Sequence, residues 1–502
     1  MFAGALLAYL LGGLLLIWLY RHQINPDGVA YISIAQKYAH GQFGDALNGY
    51  WGPLLSWLLV PFAWLGLPMQ LGAKLIALCA GGATIVLAWR CMERWQIGIW
   101  LRYATIAVLI VLAWYWALPS PITPDLIMVP ILLGYTYVLA GRYASPMKQG
   151  FALGAIAALG YYGKSYFLPF FMAHIVVWSV FIWWRNKKHW QQALQPYAVA
   201  VVVAVLLIAP WAIAISAKYH QLTLSTSGQY NFNLIGPASA GHPVTSAGLL
   251  PPPNSTAITA WEDPTYTPIS GWSPLSSRAA LVFYGQTIIE NVRAIGALFV
   301  GFSVFALAVL AAGIILLTLR WHERESAQLF TLLSTIVVYA GGYALVVREE
   351  RYLWPAFGLT LLLAVYMANY YGFYKKRAAF MVGAGMMMAS VVAAPITILA
   401  TQANTGLALK QGADVMRPLF TGKERVASDS FDSFAYCYYL RVVCYGQINP
   451  LQGDQAVRDQ LKHYQITDII LMKPAPELPV YLSNYEVVPT NNPAIILLRL
   501  KK

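Results

Sequence analysis

Apolar runs of about 20 residues recur along this 502-residue chain, and each can cross roughly 30 Å of hydrocarbon. Such runs form helices, because backbone in lipid must satisfy its hydrogen bonds within each segment. Only 11% of the residues are charged, against about 25% in soluble domains. We therefore expect a polytopic α-helical membrane protein with about eleven transmembrane helices. The predicted spans are 2–20, 71–91, 99–118, 125–141, 150–163, 165–184, 196–216, 294–319, 328–347, 353–371 and 379–400.

Two apolar runs need separate interpretation. The run at 54–67 is too short to cross and is interrupted by Pro61, so we expect an interfacial or re-entrant helix there. The run at 2–20 has no basic segment before it and no small-residue cleavage site after it, unlike a cleavable signal peptide. We therefore take it as the first span.

The net charge of +13 arises largely in short loops between spans, which favours topology and lipid headgroups over nucleic acid as its explanation. One set of loops carries Arg90, Arg94, Arg102, Arg142, Lys148, Arg185, Lys187, Lys188, Arg320, Arg324, Lys375, Lys376 and Arg377, and the opposite set carries only Arg21, Lys37, Lys74, Lys164, Arg348 and Arg351. The richer set marks the cytoplasm. The first outer loop (21–70), the long outer loop (217–292) and the C-terminus are therefore predicted to lie outside it, with the protein in the cytoplasmic (inner) membrane.

The spans lie within residues 1–404, and residues 405–502 are the only soluble-like segment. The mixed periodicity of this segment predicts a small extracytoplasmic α/β domain. It has no Gly-rich phosphate loop, serine nucleophile elbow or Cys/His metal spacing. Its helical segments are 431–440 and 454–464, and its strand-like runs are 441–445, 469–472 and 494–500.

Cys437 and Cys444 both lie in this C-terminal segment. If the segment is outside the cytoplasm, the two thiols are in an oxidising compartment, where disulfides form and persist. We predict a disulfide between them. The alternative is a pair of free buried thiols.

Two carboxylates, Asp27 and Asp125, each follow a proline directly at the end of a span. This context is typical of a helix start, so one interpretation of both is N-capping. The other is catalysis, because a helix N-terminus favours an ionised carboxylate, which can take a proton from an acceptor hydroxyl. The aromatic-Gly-Pro-Leu turn at 51–54 favours catalysis for Asp27, and both interpretations stay open for Asp125.

The second candidate cluster is cationic. Lys164 lies between two spans, and Arg348 and Arg351 precede another, on the side where Lys and Arg are rare. Cations at membrane level need an anionic partner, and a lipid phosphate is one that Arg can bind bidentately. We predict a phosphate site formed by Lys164, Arg348, Arg351 and Tyr352. The alternative is ion pairing within 348–351 and with Asp125.

Candidate substrate contacts lie in the two outer loops. Tyr31 and Trp51 are aromatic candidates in the first loop, and Trp261 and Trp272 in the long loop can also stack on a sugar. Glu262 and Asp263 form a candidate sugar or metal contact, the alternative being a solvated turn. No cluster has metal-ligand spacing, so we expect no metal ion and no other cofactor.

In their order and sidedness these residues resemble the GT-C glycosyltransferases. The resemblance covers roughly residues 1–400 and is greatest to the branch of the protein O-mannosyltransferases and lipid A aminoarabinose transferases. It rests on Asp27, the turn at 51–54, Thr123-Pro124-Asp125, Gly163-Lys164 and Glu350-Arg351-Tyr352-Leu353. It implies that an acceptor attacks the anomeric carbon of a polyprenyl-phosphate sugar with inversion. It further implies Asp27 as the base, and Lys164 and Arg351 on the donor phosphate.

The sequence therefore predicts a glycosyltransferase that moves a sugar from a polyprenyl-phosphate donor to an acceptor hydroxyl outside the cytoplasm, with Asp27 as general base. The expected partners are the lipid-linked donor, a glycan, lipid or protein acceptor, and membrane lipids. One alternative is a transporter or flippase of a lipid-linked saccharide, which would need paired charges buried within spans. Another is a binding or scaffold protein that uses the C-terminal domain.

Overall fold

The computed structural model of the protein describes residues 2–141, 145–185, 188–239, 241–323, 325–370, 377–472, 478–490 and 495–501. Arg142, Lys187, Arg324, Lys375 and Lys376 of the predicted cytoplasmic loops lie outside these ranges. The described residues up to Thr401 form helices joined by loops. Its helices are α1 (Phe2–Tyr20), α2 (Pro26–Ala39), α3 (Phe43–Ala46), α4 (Pro53–Trp64), α5 (Met69–Arg94), α6 (Ile99–Ala117), α7 (Asp125–Leu139), α8 (Pro146–Gly163), α9 (Phe167–Arg185), α10 (Trp190–Tyr219), α11 (Ser227–Leu234), α12 (Pro243–Ser246), α13 (Arg278–Phe302), α14 (Ala306–Leu319), α15 (Ser326–Tyr343), α16 (Trp354–Tyr370) and α17 (Arg377–Thr401).

Seven helices of the described residues are long and apolar enough to cross a membrane, and an eighth counts if α13 and α14 form one bent span. The seven are α1, α5, α6, α9, α10, α16 with the turn before it, and most of α17. The predicted multi-pass helical architecture is thus confirmed, whereas the count of eleven is not. The spans predicted at 125–141, 150–163 and 328–347 form α7, α8 and α15. Of these, α7 has only 15 residues, and α8 and α15 are less apolar than the seven.

The predicted span at 294–319 is instead two helices, α13 and α14, which meet at 105°. Ser303 ends α13 in an extended conformation. Its hydroxyl accepts from the Phe305 N–H (3.2 Å) and bonds to the Ser390 hydroxyl on α17 (2.6 Å), which holds the break in place. Because α13 already begins at Arg278, the long outer loop predicted at 217–292 ends earlier than expected.

Close contacts hold α4 against α2 and α8 against α10. The apolar run at 54–67 forms the 12-residue α4, too short to cross as predicted. It packs on α2, and its Ser56 hydroxyl donates to the Tyr31 carbonyl (2.9 Å). Gly150 and Gly154 bring α8 against α10, because a Cβ at either would lie 2.5 Å from a carbonyl oxygen of α10. This packing fixes the end of α8, where Lys164 follows.

The small C-terminal α/β domain is present as predicted. It comprises α18 (Leu407–Met416), β1 (Arg425–Ser428), α19 (Ser433–Leu440), β2 (Val443–Gln447), α20 (Asp454–His463), β3 (Asp468–Leu471), β4 (Tyr485–Val488) and β5 (Ile496–Leu500). The strand order is β2-β1-β3-β5-β4, with β1 parallel to β2 and β3 and the other pairs antiparallel. Its core lies between the sheet and the helices, where Val426, Ile469 and Leu498 are fully buried.

The predicted disulfide between Cys437 and Cys444 is wrong for this structure, in which both are free buried thiols. Cys437 lies on α19 and Cys444 on β2, and the two thiols are close enough to influence each other electrostatically. The Ser433 hydroxyl is 3.8 Å from the Cys444 Sγ. Burial raises the pKa of the Cys437 thiol, which favours the protonated donor form.

Membrane orientation can be tested with introduced cysteines in a Cys79→Ser background, since the other native cysteines are buried. Lys423, before β1, and His322, between α14 and α15, are both exposed. We expect Lys423→Cys to react with a membrane-impermeant maleimide in intact cells. The matched His322→Cys variant should react only after permeabilisation. Labelling in the reverse pattern would invert the predicted topology.

Candidate active site

Four charged side chains meet where four helices begin or end. Asp27 lies in the first turn of α2 and Asp125 begins α7, whereas Lys164 follows α8. Arg351 lies in a 3₁₀ turn, Glu350–Leu353, that leads into α16. The local signals are in the sequence, since Pro26 and Pro124 start their helices and Gly163 ends α8. Sequence reasoning placed these residues on one side, and the structure brings them into contact.

The four groups form a chain of ion pairs. The Arg351 Nη1 lies 2.8 Å from the Asp27 Oδ2, and its Nε lies 3.6 Å from the Asp125 Oδ2. The Asp125 Oδ1 pairs with the Lys164 ammonium. Positive and negative groups alternate along this chain, and its formal charge sums to zero. The structure therefore shows the predicted alternative, in which Lys164 and Arg351 form ion pairs with Asp125.

Asp27 and Asp125 differ in their surroundings. The side chain of Asp125 is 2% exposed and that of Asp27 is 13% exposed. Asp125 has two cationic partners and also accepts from the Thr123 hydroxyl (2.6 Å). Asp27 has one cationic partner and accepts at its Oδ1 from the Trp261 indole N–H (2.8 Å). Asp27 is thus the more accessible and the less tightly held of the two carboxylates.

Neither carboxylate acts as an N-cap. The N-cap positions of α2 and α7 are Asn25 and Pro124, and neither makes a side-chain cap bond. Asp125 lies one position after its N-cap and Asp27 two positions after its own, so both are within the first turn, where the helix dipole still favours their charge. The capping interpretation of Asp27 and Asp125 is therefore wrong, because their oxygens contact other elements rather than their own helix N-terminus.

The aromatic ring of Tyr352 lies beside the charged cluster. The Lys164 Nζ lies 3.5 Å from the centroid of its ring, a cation–π distance. The ring of Tyr352 also packs on Tyr343, at 5.2 Å between centroids. The contact with the Tyr352 ring orients Lys164 without removing its charge. Tyr343 was not anticipated from the sequence, where it is one of many tyrosines inside an apolar run.

A cavity of about 1520 Å³ opens from this cluster. Its charged end is lined by Asp27, Asp125, Lys164, Arg351 and Tyr352, with Tyr31 and Trp51 in the same wall. A wall of hydroxyl and amide groups is formed by Ser225, Ser227 and Asn231, which sequence reasoning missed for want of any motif. The remaining arm is apolar and runs between α9, α10 and α15. Its lining includes Leu168, Met172, Val205, Ile208, Ile213 and Val338.

Three predicted site residues are not at the cavity. Arg348 is exposed and its guanidinium bonds to the Asn291 side chain. Glu262 is buried and pairs with Lys37, and Asp263 is buried and accepts from the Tyr219 hydroxyl. The structure therefore does not bring Arg348, Glu262 or Asp263 into the cavity, and it buries Glu262 and Asp263 rather than leaving them in a solvated turn. The buried side chains instead anchor the long outer loop.

The described residues contain no group of three or more His, Cys, Asp or Glu side chains that could hold a metal ion. The carboxylates at the cavity are instead directed at cations. That the protein works without a metal ion stays a prediction.

The fold defined by these helices is that of the GT-C glycosyltransferases, which confirms the predicted resemblance at the level of fold. ArnT from Cupriavidus metallidurans in the apo state superposes with a TM-score of 0.58 and 14% identity, over 99% of this chain and 98% of that one. The same protein bound to undecaprenyl phosphate gives 0.56 and 13%, over the same shares of the chains. The archaeal oligosaccharyltransferase AglB from Archaeoglobus fulgidus gives 0.52 and 12%, over 97% of this chain and 72% of that one.

The sequence itself matches no family model and no curated protein. At identities of 12–14%, the solved structures share the fold with this chain. What it acts on has to be argued from its own residues.

Removing one partner of the buried Lys37–Glu262 pair should destabilise the protein. The side chains are 3% and 2% exposed, and burial raises the pKa of Glu262 while Lys37 opposes that shift. Lys37→Met would leave the carboxylate buried and unpaired, at a cost of about 3–5 kcal/mol. We expect a markedly lower melting temperature in detergent.

Arg90→Met is the matched control, because Arg90 pairs with Glu93 at 63% and 46% exposure. An exposed pair contributes about 0–1 kcal/mol. Equal melting temperatures for Lys37→Met and wild type would contradict the anchoring role of the pair.

Proposed function

We propose that the protein is a glycosyltransferase that moves a sugar from a polyprenyl-phosphate donor to an acceptor hydroxyl on the extracytoplasmic face of the membrane, with inversion. The observation that carries the proposal is one cavity with an apolar arm at one end and two cations beside an accessible carboxylate at the other. In this proposal residues 1–404 form the catalytic module, and 405–502 form an extracytoplasmic domain attached to it.

The cavity suits a lipid-linked sugar. A prenyl chain would occupy the apolar arm between α9, α10 and α15, where burial of hydrocarbon drives binding. The phosphate would then lie at Lys164 and Arg351, which supply charge-assisted hydrogen bonds. The sugar would face the hydroxyl and amide wall of Ser225, Ser227 and Asn231. Two of the neighbouring folds were determined with such lipids, ArnT with undecaprenyl phosphate and AglB with dolichol-phosphate.

Asp27 is the proposed general base. It takes the proton from the acceptor hydroxyl as that oxygen forms its bond to the anomeric carbon. The bond from the anomeric carbon to the phosphate oxygen breaks, and its electron pair stays on the phosphate. Attack opposite the leaving phosphate inverts the anomeric centre. Asp125 is a poor base by comparison, because two cations and Thr123 stabilise its ionised form.

The charges of the cluster favour this sequence of events. With a phosphodiester donor bound, the donor, Asp27, Asp125, Lys164 and Arg351 together carry a formal charge of −1. After transfer the phosphate has gained one negative charge and protonated Asp27 has lost one, so the sum is unchanged. Protonation of Asp27 also releases Arg351, which can then stabilise the phosphate dianion.

The alternative of a transporter or flippase gains no support from the cluster. A transport path requires paired charges at depth along the spans. The four charged residues lie at helix ends, at one level of the structure. That position suits a reaction at the membrane surface.

Asp27→Asn tests the assigned base. The amide keeps the size of the side chain and can still accept from Trp261, but it cannot take up a proton. We expect folding and donor binding to survive while turnover falls by roughly 10²–10⁴. The measurement is transfer of a radiolabelled sugar from a polyprenyl-phosphate donor by purified protein.

Asp125→Asn is the matched control, since it makes the same change in the other Pro-Asp helix start. Its main expected effect is on the donor KM, through Lys164 and Arg351. Loss of turnover at Asp125 with normal turnover at Asp27 would move the base to Asp125. Movement of labelled lipid across liposomes without transfer would favour the transporter.

The phosphate site can be tested with three cations of the same region. Lys164→Ala and Arg351→Ala each remove a charge-assisted contact of about 1.5–3 kcal/mol, so the donor KM should rise roughly 10- to 100-fold. Arg348→Ala is the control, because Arg348 lies outside the cavity. An unchanged donor KM in both cavity variants would mean that the phosphate binds elsewhere.

A further inference from the structure

Trp261 lies in the long outer loop yet contacts the proposed base. It belongs to a 3₁₀ turn, Ala260–Glu262, and its side chain is almost completely buried. Its indole N–H donates to the Asp27 Oδ1 at 2.8 Å, on the opposite oxygen from Arg351. Asp27 is therefore held from two sides by two donors that come from distant parts of the chain.

The turn that carries Trp261 is held by residues of the first outer loop and by α2. The Trp51 indole N–H donates to the Trp261 carbonyl (3.1 Å), and the two rings meet edge to face at 5.4 Å. The Asn48 side chain donates to the Glu262 carbonyl (2.7 Å). Glu262 also forms the buried pair with Lys37 on α2, the helix that carries Asp27. The turn and Asp27 are thus tied to the same helix.

The C-terminal domain also holds this turn. The Cys444 N–H on β2 donates to the Ile258 carbonyl (2.8 Å), and Thr259 pairs with Cys444 as in a parallel sheet. The Leu250 N–H donates to the Tyr445 carbonyl (2.8 Å). The long loop thus runs along the edge strand of the domain immediately before it reaches Trp261.

We propose, resting on the function proposed above, that Trp261 is a positioning residue that orients the Asp27 carboxylate for proton abstraction. Arg351 alone leaves a carboxylate free to rotate about that contact. A second donor on the other oxygen fixes the plane of the group, and catalysis is sensitive to displacements of about 1 Å. Each carboxylate oxygen accepts more than one hydrogen bond, so a lone pair stays available for the acceptor proton.

The aromatic rings around Trp261 pack against its indole, whereas its N–H contacts the Asp27 carboxylate. His242 packs edge-on against the indole at 4.4 Å. Burial lowers the pKa of His242 to about 4, although Asp27 opposes the shift, so the ring is neutral near pH 7. The remaining neighbours of the indole, Tyr50 and Trp51, contact it through their rings.

Trp261→Phe tests the inference in the full-length protein, because it removes the N–H and keeps a buried aromatic ring. We expect kcat to fall roughly 10- to 100-fold, the value of a hydrogen bond to a charged group, with the donor KM unchanged. A purely structural role would instead raise the donor KM and lower the melting temperature, because Arg351 is shared by Asp27 and the phosphate site. If Trp261→Phe does not fold, Trp261→Leu, which also lacks an N–H and keeps a buried apolar side chain, carries the same expectation.

Trp272→Phe is the matched control. Trp272, predicted as a possible sugar contact, lies in the same loop but outside the cavity lining, and its indole N–H donates at 2.8 Å to the Phe232 carbonyl rather than to a carboxylate. Its kcat should equal that of wild type. If Trp261→Phe turns over normally while Asp27→Asn is inactive, the role of Trp261 is overturned but the proposed function is not. Absence of transfer by wild type, or normal turnover of Asp27→Asn, would overturn the proposed function and this inference with it.

Discussion

The guanidinium of Arg351 lies between Asp27 and Asp125, and the meeting of the helices at this cluster depends on it. Removing a charge from water costs several kcal/mol unless a partner compensates it. Asp125 is buried, and its compensation comes from Arg351 and Lys164, which belong to other elements. The pairing therefore requires α2, α7, the end of α8 and the start of α16 to meet at one point. The charges that would serve catalysis also fix the meeting of the helices.

An ion-pair chain that is already neutral has a consequence for ligand binding. None of the four charges is unpaired, so under the proposed function the donor phosphate enters by exchanging with a carboxylate. Asp27 is the end of the chain and has the more exposed side chain, so its bond to Arg351 is the easiest to exchange. Asp125 keeps Lys164 and Arg351 in place during that exchange. Under the proposed function, proton uptake by Asp27 and transfer of Arg351 to the phosphate then support each other.

The residues that sequence reasoning placed correctly all lie next to helix ends. Proline and glycine mark those ends, and the distribution of Lys and Arg assigns their side, so Asp27, Asp125, Lys164 and Arg351 could be predicted on one face. Arg348 could not be separated from Arg351 by these rules. The two are three residues apart, and the 3₁₀ turn at Glu350–Leu353 directs one into the cavity and leaves the other on Asn291.

The break within 294–319 and the burial of Glu262 and Asp263 could not be predicted, because both depend on tertiary contacts. Hydropathy measures the apolarity of a run but not whether the run is straight, so the break at Ser303 inside 294–319 was invisible. Glu262 and Asp263 read as surface residues because buried carboxylates are rare without partners. Their partners, Lys37 and Tyr219, lie far away in sequence. Only the tertiary structure brings these pairs together.

The long outer loop and the C-terminal domain share one core, although the chain suggests a boundary near residue 404. Trp261 and Leu250 of the loop pack in the same buried cluster as Met416 and Phe434 of the domain. A small domain with no recognisable catalytic motif thus acts on the site through packing. A buried ion pair adds little stability but specifies one arrangement over others, and we interpret Lys37–Glu262 in this way. The domain packs against the long outer loop, and the Lys37–Glu262 pair fixes the position of that loop on α2. Together the two contacts place Trp261 within hydrogen-bonding distance of Asp27.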